Sequence, residues 1–217
     1  MKQRICVVGV AGPSGSGKST LCRAIVDRVG ASRTAVISAD AYYRDLSHLE
    51  AAARARVDFD DPAALDLDLL ASHLGELRCG RAVEVPTYDF ATHTRGRAGE
   101  PLAPRPLILV EGLFCLAHPG LAMALDVKVF VDAPEAICLD RRVERDVRQR
   151  GRTERDVREQ YAAQVAPAMH RIVLPSRTLA HLVVPGTAPV RANADLVCAN
   201  LRYRVGFELR SQPGVAV

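Results

Sequence analysis

Short apolar runs recur along the chain at residues 4–10 (RICVVGV), 34–38 (TAVIS), 107–110 (LILV), 127–132 (VKVFVD) and 181–184 (HLVV). They read as largely unbroken rather than alternating, the pattern of strands buried on both faces, and so predict a parallel sheet. Between them the apolar positions take helical spacing. Leu21, Ile25 and Val29 share one face of a helix predicted over Lys18 to Val29. Ser47 and Glu50 have the spacing of a capping box that opens a short helix, and Asp66 is placed to cap another running through Leu77. Pro134 suits the first turn of a helix to about residue 150, and Thr153 starts a second that Pro167 should kink or end. Strands alternating with helices give an α/β fold with a doubly wound parallel sheet. One stretch breaks the alternation: residues 81–90, RAVEVPTYDF, alternate apolar and polar around Pro86. They predict a small antiparallel ribbon, spanning residues 80–95 in all, that projects from the sheet as a wall for a substrate pocket.

A chain of 217 residues, 48% hydrophobic, can bury one sizeable core and is short for two, so residues 1–217 read as a single domain with a mobile tail at 211–217. No apolar run approaches the roughly 18 residues of a membrane helix. The start, MKQRICVVGVAG, lacks the features of a signal peptide. Six scattered cysteines with no C-x-x-C pair read as buried thiols in a reducing cytoplasm. The net charge of +4 is carried almost wholly by arginine, since the only lysines are Lys2, Lys18 and Lys128. That mild excess suits a phosphorylated small molecule better than a nucleic acid.

The chemistry starts at GPSGSGKST, residues 12–20, which matches G-x-x-x-x-G-K-[ST] between a predicted strand and a predicted helix. In such a loop backbone N–H groups, the helix N-terminus and the lysine hold phosphates, while the hydroxyl reaches Mg²⁺. Gly12, Ser14, Gly15, Ser16, Gly17, Lys18, Ser19 and Thr20 form the loop here, and the sheet becomes one of P-loop NTPase type. The loop alone serves kinases, motor ATPases and GTPase switches alike. Glu111 ends a central strand at the sheet's carboxyl edge, where an acid can hold Mg²⁺ directly or through water. Asp40 follows the second predicted strand, beside Tyr42 and Tyr43, where it can accept the proton of an attacking hydroxyl or simply form a turn. Tyr88, Phe90, His93 and Arg95 cluster in a chain with only ten Tyr and Phe, and can stack on a nucleobase or merely pack the ribbon. Residues 141–160 carry eight arginines interleaved with acids, either a solvated helical face or an arginine lid jointed at Gly151.

The succession GPSGSGKST, SADAYYRDLSHL, DFDDPAALD, VPTYDFATHTR, LILVEG, FVDAPEAICLDRRVERDVRQRGR, QY and LPSRTLAHLVVP resembles the uridine kinase (uridine-cytidine kinase) family from about residue 4 to 186. The resemblance implies transfer of the γ-phosphate of ATP or GTP to the 5′-hydroxyl of uridine or cytidine in pyrimidine salvage. It implies that Asp40 is the base, that Lys18 holds phosphates, and that Ser19 and Glu111, with Asp40 nearby, serve Mg²⁺. It further implies that Asp60 and Arg142 hold the ribose, that Phe59, Tyr88 and Phe90 line the base, and that His93 reads its edge. Tyr43, Arg152 and Gln160 would complete the nucleoside pocket, with Arg145 and Arg150 in the lid. A homo-oligomer, often a tetramer, is implied as well, with no nucleic-acid or membrane partner. Two departures stand out: Asp60-Asp61-Pro62 replaces the usual Asp-His-Pro, which bears on sugar preference, and PGTAPVR puts Val190 where asparagine is common, which bears on the donor. The rival readings are another kinase of this build, such as a phosphoribulokinase, which would need cations around an acceptor phosphate; a nucleotide-dependent switch; and an RNA-binding module, whose interleaved acids would repel the backbone.

Overall fold

The computed structural model describes residues 4–54 and 56–209. In chain order it contains β1 (Cys6–Ala11), α1 (Lys18–Val29), β2 (Thr34–Ser38), α2 (Ala51–Arg54), α3 (Leu67–Arg78), β3 (Val83–Val85), β4 (Tyr88–Asp89), β5 (Thr94–Arg95) and β6 (Glu100–Leu102). There follow β7 (Leu107–Glu111), α4 (Pro119–Ala124), β8 (Val127–Asp132), α5 (Glu135–Arg150), α6 (Glu154–Gln160), α7 (Ala166–Ala168), β9 (Leu182–Pro185) and α8 (Val190–Val205). All five predicted strands join one parallel sheet in the order β2-β7-β1-β8-β9.

The unbroken apolar runs are explained by burial on two sides. Along β1, Val7 and Ala11 enter one core and Cys6, Val8 and Val10 the other. Leu70, Leu74 and Leu77 of α3 and Leu121 of α4 complete the first core, while Leu21 and Ile25 of α1 and Val197 and Leu201 of α8 complete the second. This is a doubly wound sheet. Its register aligns Val10 and Ser38 with Glu111, so the chain leaves β1, β2 and β7 at one carboxyl edge with the phosphate loop, Asp40 and Glu111 side by side.

The helix caps at Asp66 and Thr153 form as predicted, accepting from the N–H groups of Leu69 (3.3 Å) and Asp156 (3.1 Å). Four local expectations change. The Ser47/Glu50 box does not form: the Ser47 hydroxyl donates to Asp45, and the helix is the single turn α2. The ribbon is longer than residues 80–95 and divided, since β3 pairs with β6 and β4 with β5, leaving Pro86 between two ladders. Glu100-Pro101-Leu102 carries no β-branched residue to announce a strand. Pro167 neither ends nor sharply interrupts the helical path, because π turns at Tyr161–Val165 and Met169–Val173 flank α7 and their wider winding accommodates the N–H that proline lacks. Helix α8 was not expected, although its buried Asn193, Ala194, Val197, Cys198 and Leu201 follow helical spacing. The expected mobile tail at 211–217 lies outside the described residues. Among the described residues no helix is long and apolar enough to cross a membrane.

Candidate active site

The loop from Gly12 to Gly17 is pressed between β8 and α5. Gly12 sits at φ +144° and a Cβ there would lie 2.3 Å from the Val131 carbonyl oxygen; at Gly15, φ +81°, a Cβ would lie 2.3 Å from that of Cys138. Only glycine lets the backbone take this path so close to its neighbours. Gly17 provides no side-chain cap for α1, which leaves the first N–H groups of the helix available to an anion. Lys18 is buried and its Nζ donates to the carbonyls of Gly12 (3.0 Å) and Pro13 (2.9 Å). Ser19 Oγ donates to Glu111 Oε1 at 3.1 Å, across the junction of α1 and β7.

Two cavities meet at this loop. One, of about 630 Å³, is bounded by the loop from Gly15, Ser16 and Gly17 through Thr20, and by Ala188, Val190 and Asn193 beside α8. The other, of about 540 Å³, is reached past Ser14 and contains Asp40 and Glu111. Lys18, Ser19 and Arg145 line both. The two cavities therefore adjoin at Lys18, Ser19 and Arg145, beside the phosphate loop.

The far side of the second cavity is aromatic. Tyr43 donates to the Phe59 carbonyl at 3.0 Å, and its ring lies 5.5 Å from Phe59, 5.1 Å from Tyr88 and 6.3 Å from Phe90. His93 stacks on Phe59 at 4.4 Å with 18° between the planes, in a left-handed backbone conformation (φ +54°) uncommon outside glycine. Its Nδ1 and the Tyr88 hydroxyl are buried without a hydrogen-bond partner, so two polar atoms remain available at the aromatic wall. Burial, reinforced by the charges of Arg54 and Arg152, holds the His93 pKa below the ordinary histidine range. A pKa held below that range favours the neutral ring at pH 7. Arg150 closes over the wall with its guanidinium 5.1 Å from the Phe90 ring.

The same cavity is lined by a buried pair, Asp60 and Arg142, 3.6 Å apart. Burial pushes the Asp60 carboxyl up and Arg142 draws it back down. Gln160 accepts from Arg142 (3.2 Å) and Arg152 (2.6 Å), tying the end of α6 to α5 and to the turn between them. Gly151, at φ +63°, makes the turn between these helices. The arginine stretch divides into two populations: Arg148, Arg155 and Arg158 pair with exposed glutamates, whereas Arg142, Arg145, Arg150 and Arg152 face the cavity.

Two features singled out in the sequence lie elsewhere. Arg95 does not line the cavity; it donates to the carbonyls of Tyr42 and Tyr43, both at 3.1 Å, and anchors the segment after Asp40. Asp61 turns its carboxylate to the Ala63 N–H (2.8 Å), capping the turn at Pro62, and is not among the residues that line the cavity. Sequence reasoning missed Arg141, which donates to the carbonyls of Gly15 (3.3 Å) and Gly186 (3.1 Å) and clasps the phosphate loop. It also missed Asp146, a fully buried acid among the cavity arginines. Its i,i+4 spacing to Arg142 and Arg150 was the available signal.

The Ser19 hydroxyl and Glu111 carboxylate, with Asp40 in the same cavity, are hard oxygen donors of the type Mg²⁺ takes while retaining waters and phosphate oxygens. Among the described residues no group of three or more His, Cys, Asp or Glu could hold an ion alone. The set fits a metal that arrives with a phosphate chain.

Comparison with known proteins agrees with this geometry. Residues 7–192 match the model of the Phosphoribulokinase / Uridine kinase family. The chain is 45% identical over 195 residues to a uridine kinase of Chloroflexus aggregans, covering 90% of this chain and 93% of that one. It is 39% identical over 208 residues to a uridine kinase of Shewanella pealeana, covering 94% and 99%. Among solved structures, a phosphoribulokinase from Rhodobacter spheroides superposes with a TM-score of 0.62 at 18% identity, covering 87% of this chain and 75% of that one. A D-glycerate 3-kinase from Cryptococcus neoformans gives 0.62 at 16%, covering 86% and 88%. These two likenesses speak for the fold alone. The family match and the relatives reach further, for they span the loop, the ribbon and the arginine-bearing helices together: the chain belongs to the phosphoribulokinase/uridine kinase family.

Proposed function

We propose that the protein transfers the γ-phosphate of ATP or GTP to the 5′-hydroxyl of uridine or cytidine, yielding UMP or CMP for pyrimidine salvage. The observation that carries this reading is the set of groups gathered in one cavity: an aromatic wall with His93, the buried Asp60–Arg142 pair, and Asp40 together with Lys18. Such a set offers a stacking surface to a base, polar partners to a ribose and a proton acceptor to a 5′-hydroxyl. A phosphoribulokinase would need cations around the acceptor's own phosphate; arginines do line this cavity, but Tyr43, Tyr88 and Phe90 pack together among them as a surface suited to a base.

Asp40 would accept the 5′-hydroxyl proton as the oxygen attacks the γ-phosphorus. Lys18 would leave the Gly12 and Pro13 carbonyls for the phosphates, and Arg145, Arg150 and Arg152 would spread the charge of the transferring group while excluding water. Ser19 and Glu111 would hold Mg²⁺, which when bound supplies neutralisation of phosphate charge.

The test is Mg²⁺-dependent ADP release from ATP with uridine, cytidine, ribulose 5-phosphate or no acceptor. Release driven by either nucleoside is expected; release driven only by the sugar phosphate would remove the nucleoside reading and leave the donor site standing. A second outcome isolates the wall. Phe90→Ala should raise the KM for uridine about 5- to 100-fold, the equivalent of about 1–3 kcal/mol of lost stacking, with the KM for ATP nearly unaltered. Equal losses for both substrates would contradict a stacking role.

A further inference from the structure

Asp146 lies on α5 with no solvent exposure and four guanidinium groups around it: Arg145 at 2.8 Å, Arg150 at 3.5 Å, and Arg142 and Arg152 at 3.7 Å each. The groups it gathers have different destinations. Arg142 faces Asp60 and, with Arg152, shares Gln160. Arg145 lines both cavities, and Arg150 reaches over Phe90. One carboxylate thus stands behind the acceptor side, the passage between the cavities and the covering of the aromatic wall.

The contact is uneven. Arg145 Nε donates to Oδ1 at 2.8 Å, whereas Oδ2 and Arg142 Nε, 3.7 Å apart, are both buried without a hydrogen-bond partner. A carboxylate meant only to stabilise the helix would be expected to satisfy both oxygens. Here the second oxygen is held by charge, between Arg142 and Arg152, within a shift of less than about 1 Å of a hydrogen bond to either. Without Asp146 four cations would face one another at short range, and each would swing toward solvent.

We propose that Asp146 is a positioning residue for phosphoryl transfer: it fixes Arg145 at the phosphate loop, where the two cavities meet, and Arg142, Arg150 and Arg152 along the acceptor cavity, so that both substrates meet prealigned cations. The acceptor half of this inference rests on the reading given under Proposed function; the phosphate half does not.

Asp146→Asn keeps the side-chain shape and removes the charge. Three quantities would be measured: MgATP affinity by calorimetry without any acceptor, kcat and KM with uridine, and the melting temperature. MgATP affinity should fall about tenfold, the KM for uridine should rise about tenfold, and kcat should fall about 100-fold. A merely structural role would lower the melting temperature and the active fraction while leaving MgATP affinity and KM of the folded protein within about twofold, and that result would overturn the proposal. If Asp146→Asn does not fold, Asp146→Glu takes its place: the charge stays while its position moves by one methylene, so melting should change little and kcat should fall about tenfold. Wild-type kcat and KM in that variant would equally sink the idea. Should uridine prove not to be the acceptor of the wild-type protein, the functional reading fails on that observation, and MgATP affinity alone still decides whether Asp146 positions the phosphate-side Arg145.

Discussion

Asp40→Asn protein should bind MgATP within about threefold of wild type and turn uridine over about 10²–10⁴ times more slowly. Asp40 enters the cavity directly after β2, its own N–H turned back to Ser38 Oγ (3.4 Å), with Lys18 and Glu111 lining the same space. The amide of asparagine fills nearly the same volume but cannot take up a proton from the attacking hydroxyl. The loss should therefore fall on kcat rather than on donor binding. Steady-state ADP release combined with calorimetric MgATP titration in the absence of acceptor separates the two. Unaltered turnover would remove Asp40 as the base, and a rise in KM alone would reassign it to holding the nucleoside.

The second large effect is expected at a residue with no side chain. Gly12→Ala would place a methyl 2.3 Å from the Val131 carbonyl oxygen and 3.0 Å from Ser16 Oγ, at a φ of +144° that L-residues avoid. Backbone strain of this kind is worth about 1–3 kcal/mol. The carbonyl cannot yield because it belongs to a strand paired on both sides, so the loop must move instead. Loss of donor affinity by about 10- to 100-fold or more should follow. Gly151→Ala is the matching control, with positive φ (+63°) but nothing within 4 Å of the added carbon. If both variants bind ATP equally well, close packing of the loop against β8 is not what shapes the donor site.

The sheet was legible in the sequence because its strands are buried on both faces, a condition that leaves runs such as LILV with no polar interruption. The phosphate loop was legible because glycine and lysine at fixed spacing have few other uses. The acceptor side chains named from family resemblance, including Phe59, Asp60, Tyr88, Phe90, His93 and Gln160, do converge on one cavity. What the sequence could not reveal was direction. Glu144 and Asp146 stand two residues apart on α5 among the same arginines, yet one is exposed and the other fully buried. Which face of α5 meets the cavity is fixed by its packing on neighbouring elements, not by local charge pattern. The same limit applied to Asp61, where the acid beside Asp60 proved to be a turn cap, and to Pro101, whose presence hid a short strand of the ribbon.

No residue of β3 to β6 joins the five-stranded sheet; they form two separate ladders of two strands each. Tyr88, Phe90 and His93 hang from the outer ladder, which consists of the pairs Tyr88 with Arg95 and Asp89 with Thr94. The donor loop, by contrast, is continuous with the central strand β1. Selection can thus act on the two halves of the reaction almost independently. On the nucleoside reading proposed above, substitutions at Tyr88, Phe90 and His93 would change which acceptor is welcomed without recutting the scaffold that holds the nucleotide, and the marginal stability of so short a ladder would make that region the natural place for new acceptor preferences to arise.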